Sequence, residues 1–231
     1  MAVTKTAIVE ASIQILNRDG IEKLTMRTIA KELNIKAASL YNHIGGRQEL
    51  FGEITEYMLG SCVFPENKTS PRNFLIKASQ EYRNMLKTVR DSVAIFENSV
   101  PNTPRRTKVI QSFFEKLYEY GVRQENLLTV SNMLNNYTLS FTADELRYKN
   151  TPPEILNPLM EKFSFGNKLF EHREINFDRQ FLYGLEVLFT GIKKARVQNN
   201  GGLSFTDNGN NTHRQGVYES KVRLGAQRTG L

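Results

Sequence analysis

The side chains able to do covalent or metal chemistry in this 231-residue chain are few and scattered. The three histidines, His43, His172 and His213, stand far apart, and none has the His-x-x-x-His spacing that sets two imidazoles on one helix face over a metal. Cys62 is the single cysteine, with no partner for a disulfide or a thiolate cluster, as suits a reducing compartment. No glycine-rich loop follows a strand-like run to cradle a phosphate. Glu171, His172 and Glu174 make a local acid–base cluster, but their setting near a helix start is that of a solvated surface. Neither an enzyme active site nor a cofactor is expected. Between residues 25 and 47 stand hydrogen-bonding and cationic groups of types that could meet a duplex. There Ser39 can bond either type of base edge, Asn42 can bond an adenine, and the guanidinium of Arg27 or Arg47 can make charge-assisted bonds to phosphate.

Such groups read DNA only when a helix presents them, so the elements carrying them decide the matter. Up to about residue 196 apolar residues recur at helical rather than alternating spacing, which predicts an all-α fold. Ile8, Ala11, Ile15 and Leu16 stripe a first helix over about 5–19, ended by Asp19-Gly20. Thr25 caps a second, about 26–33, that stops at Asn34, a residue tolerant of left-handed φ. After a three-residue turn a third helix, about 37–43, buries Leu40. Gly45-Gly46 then turns the chain into a long helix from Arg47. The second and third helices make a helix-turn-helix, the arrangement that lays its second helix in the major groove.

Further helices are expected from Phe74 to Leu86, at 93–98, 105–120, 124–148 and 175–195, with a poorly patterned segment after Pro152-Pro153. The expected division is an N-terminal three-helix DNA-binding domain over 1–46, a C-terminal helical bundle for ligand binding and dimerisation over 47–197, and a disordered tail over 198–231, where Asn, Gly, Ser, Thr, Gln and Arg show no period. The apolar stripes Leu127, Val130, Leu134, Tyr137, Phe141 and Phe177, Phe181, Leu185, Leu188, Ile192 are expected to pair across a two-fold axis as a homodimer seam.

The run Leu24-Thr25-Met26-Arg27-Thr28-Ile29-Ala30-Lys31-Glu32-Leu33-Asn34-Ile35, followed by Ser39-Leu40-Tyr41-Asn42-His43-Ile44 and Arg47-Gln48-Glu49-Leu50, resembles the DNA-binding domain of the tetracycline-repressor family of bacterial transcription regulators. Similar motifs of the tetracycline-repressor branch continue through Arg90-Asp91, Pro101, Tyr120-Gly121, Tyr137-Thr138-Leu139 and Phe181-Leu182-Tyr183-Gly184-Leu185-Glu186, so the resemblance covers about residues 4–196. It implies a ligand-responsive repressor, a homodimer on palindromic double-stranded operator DNA that a small-molecule inducer releases. It places Tyr41 and His43 near phosphates, and Ala37, Ala38, Ser39 and Asn42 toward the bases. Thr25, Arg27 and Arg47 complete the implied DNA-binding set. Asn34 stands where most members have Gly.

In the ligand domain the resemblance implies a pocket at Ala78, Tyr82, Phe96, Ser99, Phe113, Leu117, Leu128, Asn132 and Asn136. Phe96 stands where the tetracycline repressors have the histidine that holds a magnesium–drug chelate, and phenylalanine cannot ligate a hard cation. Ala78, Phe113 and Asn136 replace further polar drug contacts. The inducer is therefore expected to be largely apolar or aromatic. A ligand-independent DNA-binding or adaptor protein on the same fold is the alternative, and a helical enzyme handling a small molecule the weaker one.

Charge adds little to this reading. The net +7 comes from 31 basic and 24 acidic residues spread along the chain, without a basic arm. The longest uncharged stretch, 126–143, holds four Asn, three Thr and two Ser, unlike a membrane span. The start, MAVTKTAIVEA, has no apolar run of signal-peptide length, so a cytoplasmic location is expected. The replacement at Phe96 carries a prediction. Magnesium–tetracycline at micromolar concentration does not release this protein from its operator, as gel-shift titration with and without a magnesium chelator will show.

Overall fold

Helix starts and stops along this chain are set by local chemistry. In the computed structural model, which describes residues 3–66, 68–162 and 175–198, the Thr4 hydroxyl accepts the Ala7 amide at 3.1 Å to open α1 (Lys5–Asp19). Gly20, at φ +82°, closes it. The following elements are α2 (Met26–Glu32), α3 (Ala37–Tyr41), α4 (Arg47–Leu59), α5 (Pro71–Leu86), α6 (Ser92–Glu97), α7 (Pro104–Glu119), α8 (Leu127–Asn150), α9 (Pro153–Lys162) and α10 (Phe177–Gln198). Prolines open α5 and α7, where the missing amide hydrogen costs nothing. Among the described residues there is no strand, as the periodicity predicts, and no helix long and apolar enough to cross a membrane.

Two boundaries differ from expectation. The third helix ends at Tyr41, so Asn42 and His43 lie just beyond it. The segment after Pro152 is helical as α9 despite Pro158 within it, because Pro153 occupies a first-turn position and the loss at Pro158 is confined to one hydrogen bond. The tail over 199–231 and the cluster of Glu171, His172 and Glu174 lie outside the described residues, as does His213.

Two apolar clusters hold the body together. The first joins α1, α2, α3 and α4 to Leu86, Val93, Ile95, Phe96 and Leu139. The second lies between α5, α7, α8 and α10. It contains Leu134, Phe181, Leu185 and Ile192, with Leu127, Val130, Tyr137 and Phe141 packed against them. The stripes expected to form the dimer seam thus face each other inside one chain, with Tyr137 stacked on Phe181 at 5.3 Å. Gly184 makes this approach possible, since a Cβ there would fall 2.1 Å from the Tyr137 hydroxyl. The large apolar side chains left outward on these helices are a different set: Leu128 and Met133 on α8, Tyr183 and Val187 on α10.

A buried ion pair crosses the second cluster. Arg83 on α5 donates Nε to Glu145 of α8 at 2.8 Å and Nη1 to Asp178 of α10 at 2.7 Å, with its guanidinium 5.0 Å over the Phe181 ring. Arg83 and Glu145 are almost wholly buried. Burial by itself would raise the Glu145 carboxyl, but bonds from Lys149 and Arg83 overcome it and hold the group below the usual carboxylate range. Asp178 is lowered by its Arg83 bond. Both contributions are therefore complete at neutral pH and lost as the medium is acidified through the lowered values. Glu145→Ala leaves Arg83 buried with only Asp178. Urea unfolding will show it less stable at pH 7 by about 3 kcal/mol or more, with the gap narrowing below the ordinary carboxylate range. An equal midpoint for variant and parent at pH 7 would show the pair to be dispensable.

Candidate nucleic-acid interface and ligand cavity

The reading head is built from short helices that could not stand alone. Thr25 Oγ1 accepts the Thr28 amide at 3.1 Å and lies 2.6 Å from the Thr28 hydroxyl, so this residue caps α2 with the oxygen that the sequence offers to DNA. Asn34 closes α2 at φ +51°: its amide reaches the Lys31 carbonyl at 3.1 Å, and the Ile35 amide reaches the Ala30 carbonyl at 2.9 Å. Beyond this turn Leu40 and Ile44 are wholly buried and fix α3 against the head.

The remaining faces point outward. Ala38, Tyr41 and Asn42 are exposed, while Ala37, Ser39 and His43 are half-buried. Arg27 on α2 is exposed, and Arg47 at the start of α4 is exposed with its guanidinium 5.0 Å over the Phe51 ring. Lys36, the exposed residue just before α3, adds a cation that the sequence reading passed over. Its signal was its place ahead of the presenting helix.

The head is tied to the bundle by polar contacts. In the α5–α6 turn Asp91 adopts φ +60° and accepts the Ile21 amide at 2.8 Å, and the Arg90 amide donates to Asn17 Oδ1 at 2.9 Å. A side chain at Gly20 would meet Arg90 and Asp91 at 3.0–3.1 Å, so the turn grips the end of α1 closely. On the other side Glu56 of α4 accepts the Arg105 amide at 2.9 Å, joining α4 to the start of α7.

Between α5, α7 and α8 lies a cavity of about 330 Å³, at the lower end of the range for small-molecule sites. Tyr82, Phe96, Phe113, Leu128 and Asn132 line it. Ser99 and Asn136 line an adjoining recess that shares Phe96 and Arg106 with it. Ala78 and Leu117 are not brought to the cavity; both are fully buried in the second cluster behind its wall. Tyr82 meets Phe96 edge-on at 5.4 Å, and burial pushes its hydroxyl well above the usual tyrosine range, so it is neutral.

Arg106, Ile110 and Asn135 are among the lining residues that the sequence reading did not single out. Arg106 donates to the Phe96 carbonyl at 3.1 Å, to the Ser99 carbonyl at 3.3 Å and to the Ser99 hydroxyl, with its guanidinium 5.1 Å over the Phe96 ring. Burial lowers its pKa. Its signal was present, since Arg106, Ile110 and Phe113 fall at three- and four-residue spacing on α7. Twin arginines also oppose the dipole at that helix's start.

A helix-turn-helix joined by fixed contacts to a helical bundle with a lined cavity is the arrangement of a DNA-binding regulator. The chain belongs to the tetR family of bacterial regulatory proteins, whose model matches residues 8–54, and a tetracyclin repressor-like C-terminal domain matches residues 64–196. It is similar to the tetracycline repressor protein class G of Vibrio anguillarum, 26% identical over 205 residues that cover 84% of this chain and 95% of that relative. In fold it resembles the Streptomyces coelicolor TetR family protein ActR, solved in complex with actinorhodin (TM-score 0.74, 23% identity, covering 85% of this chain and 99% of that one). BioQ, solved with its double-stranded DNA operator, is also similar (TM-score 0.64, 22% identity, covering 82% and 98%).

The outward residues set distinct expectations. In competition binding against operator variants, Ser39→Ala and Asn42→Ala each shift base preference at one position by about 1–3 kcal/mol. Arg47→Ala weakens all sequences alike and reduces the salt slope by about one unit. Uniform weakening by all three would mean that α3 carries no direct base readout.

Proposed function

We propose that this chain is a homodimeric, ligand-responsive transcriptional repressor that holds a palindromic operator and is released by a small, largely apolar or aromatic inducer. The observation that carries the reading is the continuity of one apolar cluster from Leu40 and Ile44, which seat α3, to Phe96, which walls the cavity. A ligand that alters the packing around Phe96 and α6 therefore acts on the support of the reading head. In these terms residues 1–46 read DNA and residues 47–197 bind ligand and dimerise. Arg27, Ala37, Ala38, Ser39, Tyr41, Asn42, His43 and Arg47 meet the duplex, with Thr25 shaping the helix start. The ActR complex with actinorhodin and the BioQ complex with its operator support both halves of the reading by analogy of fold.

The dimer forms through the outward side of α8 and α10, where Met133, Tyr183 and Val187 are exposed. Its two-fold axis sets the recognition helices about 34–36 Å apart for successive major grooves. Inducer binding favours a dimer state with another separation, a shift between two populations rather than a strain transmitted along one path. Residues 47–59 of α4, gripped by Arg105 at Glu56, carry the change to the head. An open cavity speaks against the ligand-independent alternative, which calls for a packed bundle.

Selection from a random duplex pool is the first test, and it yields inverted repeats; recovery of single half-sites alone would sink the dimeric reading. A panel of planar aromatic compounds is then screened for operator release. Ile110→Trp, which fills the cavity from α7, raises the concentration needed for release at least about tenfold, as expected when a bulky side chain takes the ligand's volume. Release unaffected by that substitution would place the inducer elsewhere.

A further inference from the structure

We propose that the inducer is an anion, an aromatic acid whose carboxylate or ionised hydroxyl is bound by Arg106; this rests on the cavity being the inducer site. The side chains lining the cavity include no Asp or Glu, and Arg106 is their one cation. Its donors reach only neutral oxygens, the Phe96 carbonyl and the carbonyl and hydroxyl of Ser99, and Nε has no acceptor among the described residues. Glu97 lines the adjoining recess with Arg106 but forms no ion pair with it, and its side chain is exposed.

The other arginines of this region are compensated. Arg83 has both Glu145 and Asp178, and Arg105, the preceding residue, lies 3.3 Å from Glu56. A guanidinium withdrawn from water onto an aromatic ring without a counter-ion is costly, and its planar fork matches a carboxylate. The arrangement is complete only when an anion enters.

The approach to the cavity points the same way. A neighbouring recess shares Leu59, Phe64, Val109 and Phe113 with it; of its two lining cations Arg105 is paired with Glu56, and the exposed Lys108 has no ion pair among the described residues. An exposed lysine beside the cavity raises the local concentration of an anion modestly. Within, Phe96 and Phe113 take an aromatic body, while the neutral Tyr82 hydroxyl and the Asn132 and Asn135 amides can meet further oxygens.

Calorimetry on the full chain tests this with matched probes, each aromatic carboxylate against its own primary amide, from benzoate through 2-naphthoate to anthracene-2-carboxylate. The parent binds at least one acid about tenfold or more tightly than its amide, the range a charge-assisted pair gives. Arg106→Gln removes that preference while leaving the amide within about threefold, and Arg106→Lys keeps part of it. A purely structural Arg106, needed only to hold the end of α6, would weaken acid and amide together, so the ratio separates the roles; melting curves confirm that both variants fold. Equal affinity for acid and amide in the parent, or a preference that survives Arg106→Gln, overturns the anion. If amides bind, without acid preference, and Ile110→Trp blocks them, the cavity reading stands without the charge. If neither series binds, both proposals fall.

Discussion

A five-residue helix has no stability of its own in water, and everything this protein does to DNA rests on that constraint. α3 exists because Leu40 and Ile44 are driven into apolar company supplied by α1, α2 and α4. That company does not end at the head. Leu50, Phe51 and Ile54 of α4 continue it to Leu86, Val93, Ile95 and Phe96. Interiors packed at crystal-like density do not deform continuously, so a change at Phe96 has to be met by a discrete rearrangement of the same core. The polar contacts reinforce this: the Asp91 carboxylate on the Ile21 amide fixes the start of α6 to the end of α1.

The second cluster is tied together by charge as well as by apolar contact. Its aromatic rings surround a buried charge, Arg83, placed between Glu145 and Asp178 from two other helices. Buried pairs of this kind add little net stability over an apolar core, but removing one partner is heavily penalised, so they specify which helices pack together. Arg83 and Arg106 make an instructive contrast. Both lie over phenylalanine rings, on adjacent helices of one bundle, yet one is neutralised within the chain and the other faces a cavity.

Periodicity made the helices legible because burying one face of a helix leaves a 3.6-residue signature whatever it packs against. Asn34 announced the turn through its tolerance of left-handed φ, observed at +51°. The same signature is silent about partners. The stripes on α8 and α10 read as surplus apolar surface that would need a second copy, whereas in space they find each other, a pairing allowed by the absence of a side chain at Gly184. α9 was missed because prolines at 152, 153 and 158 mask a helical period.

The site divides along the same line. Residue types and near-neighbour spacing by themselves offered no metal-ligand or nucleophile motif and set out the helix-turn-helix. That residues 25–47 meet a duplex, and that Phe96 stands where an imidazole would hold a cation, came from the resemblance of whole motifs, which side-chain chemistry then made specific. Only the tertiary structure decided that Tyr82, Phe96, Phe113, Leu128 and Asn132 share a cavity, that Ala78 and Leu117 stand behind its wall, and that Arg106 looks into it. Those outcomes depend on how helices distant in sequence rotate about their axes when they pack. That rotation is a collective result of all the buried contacts, which no single residue or interval encodes.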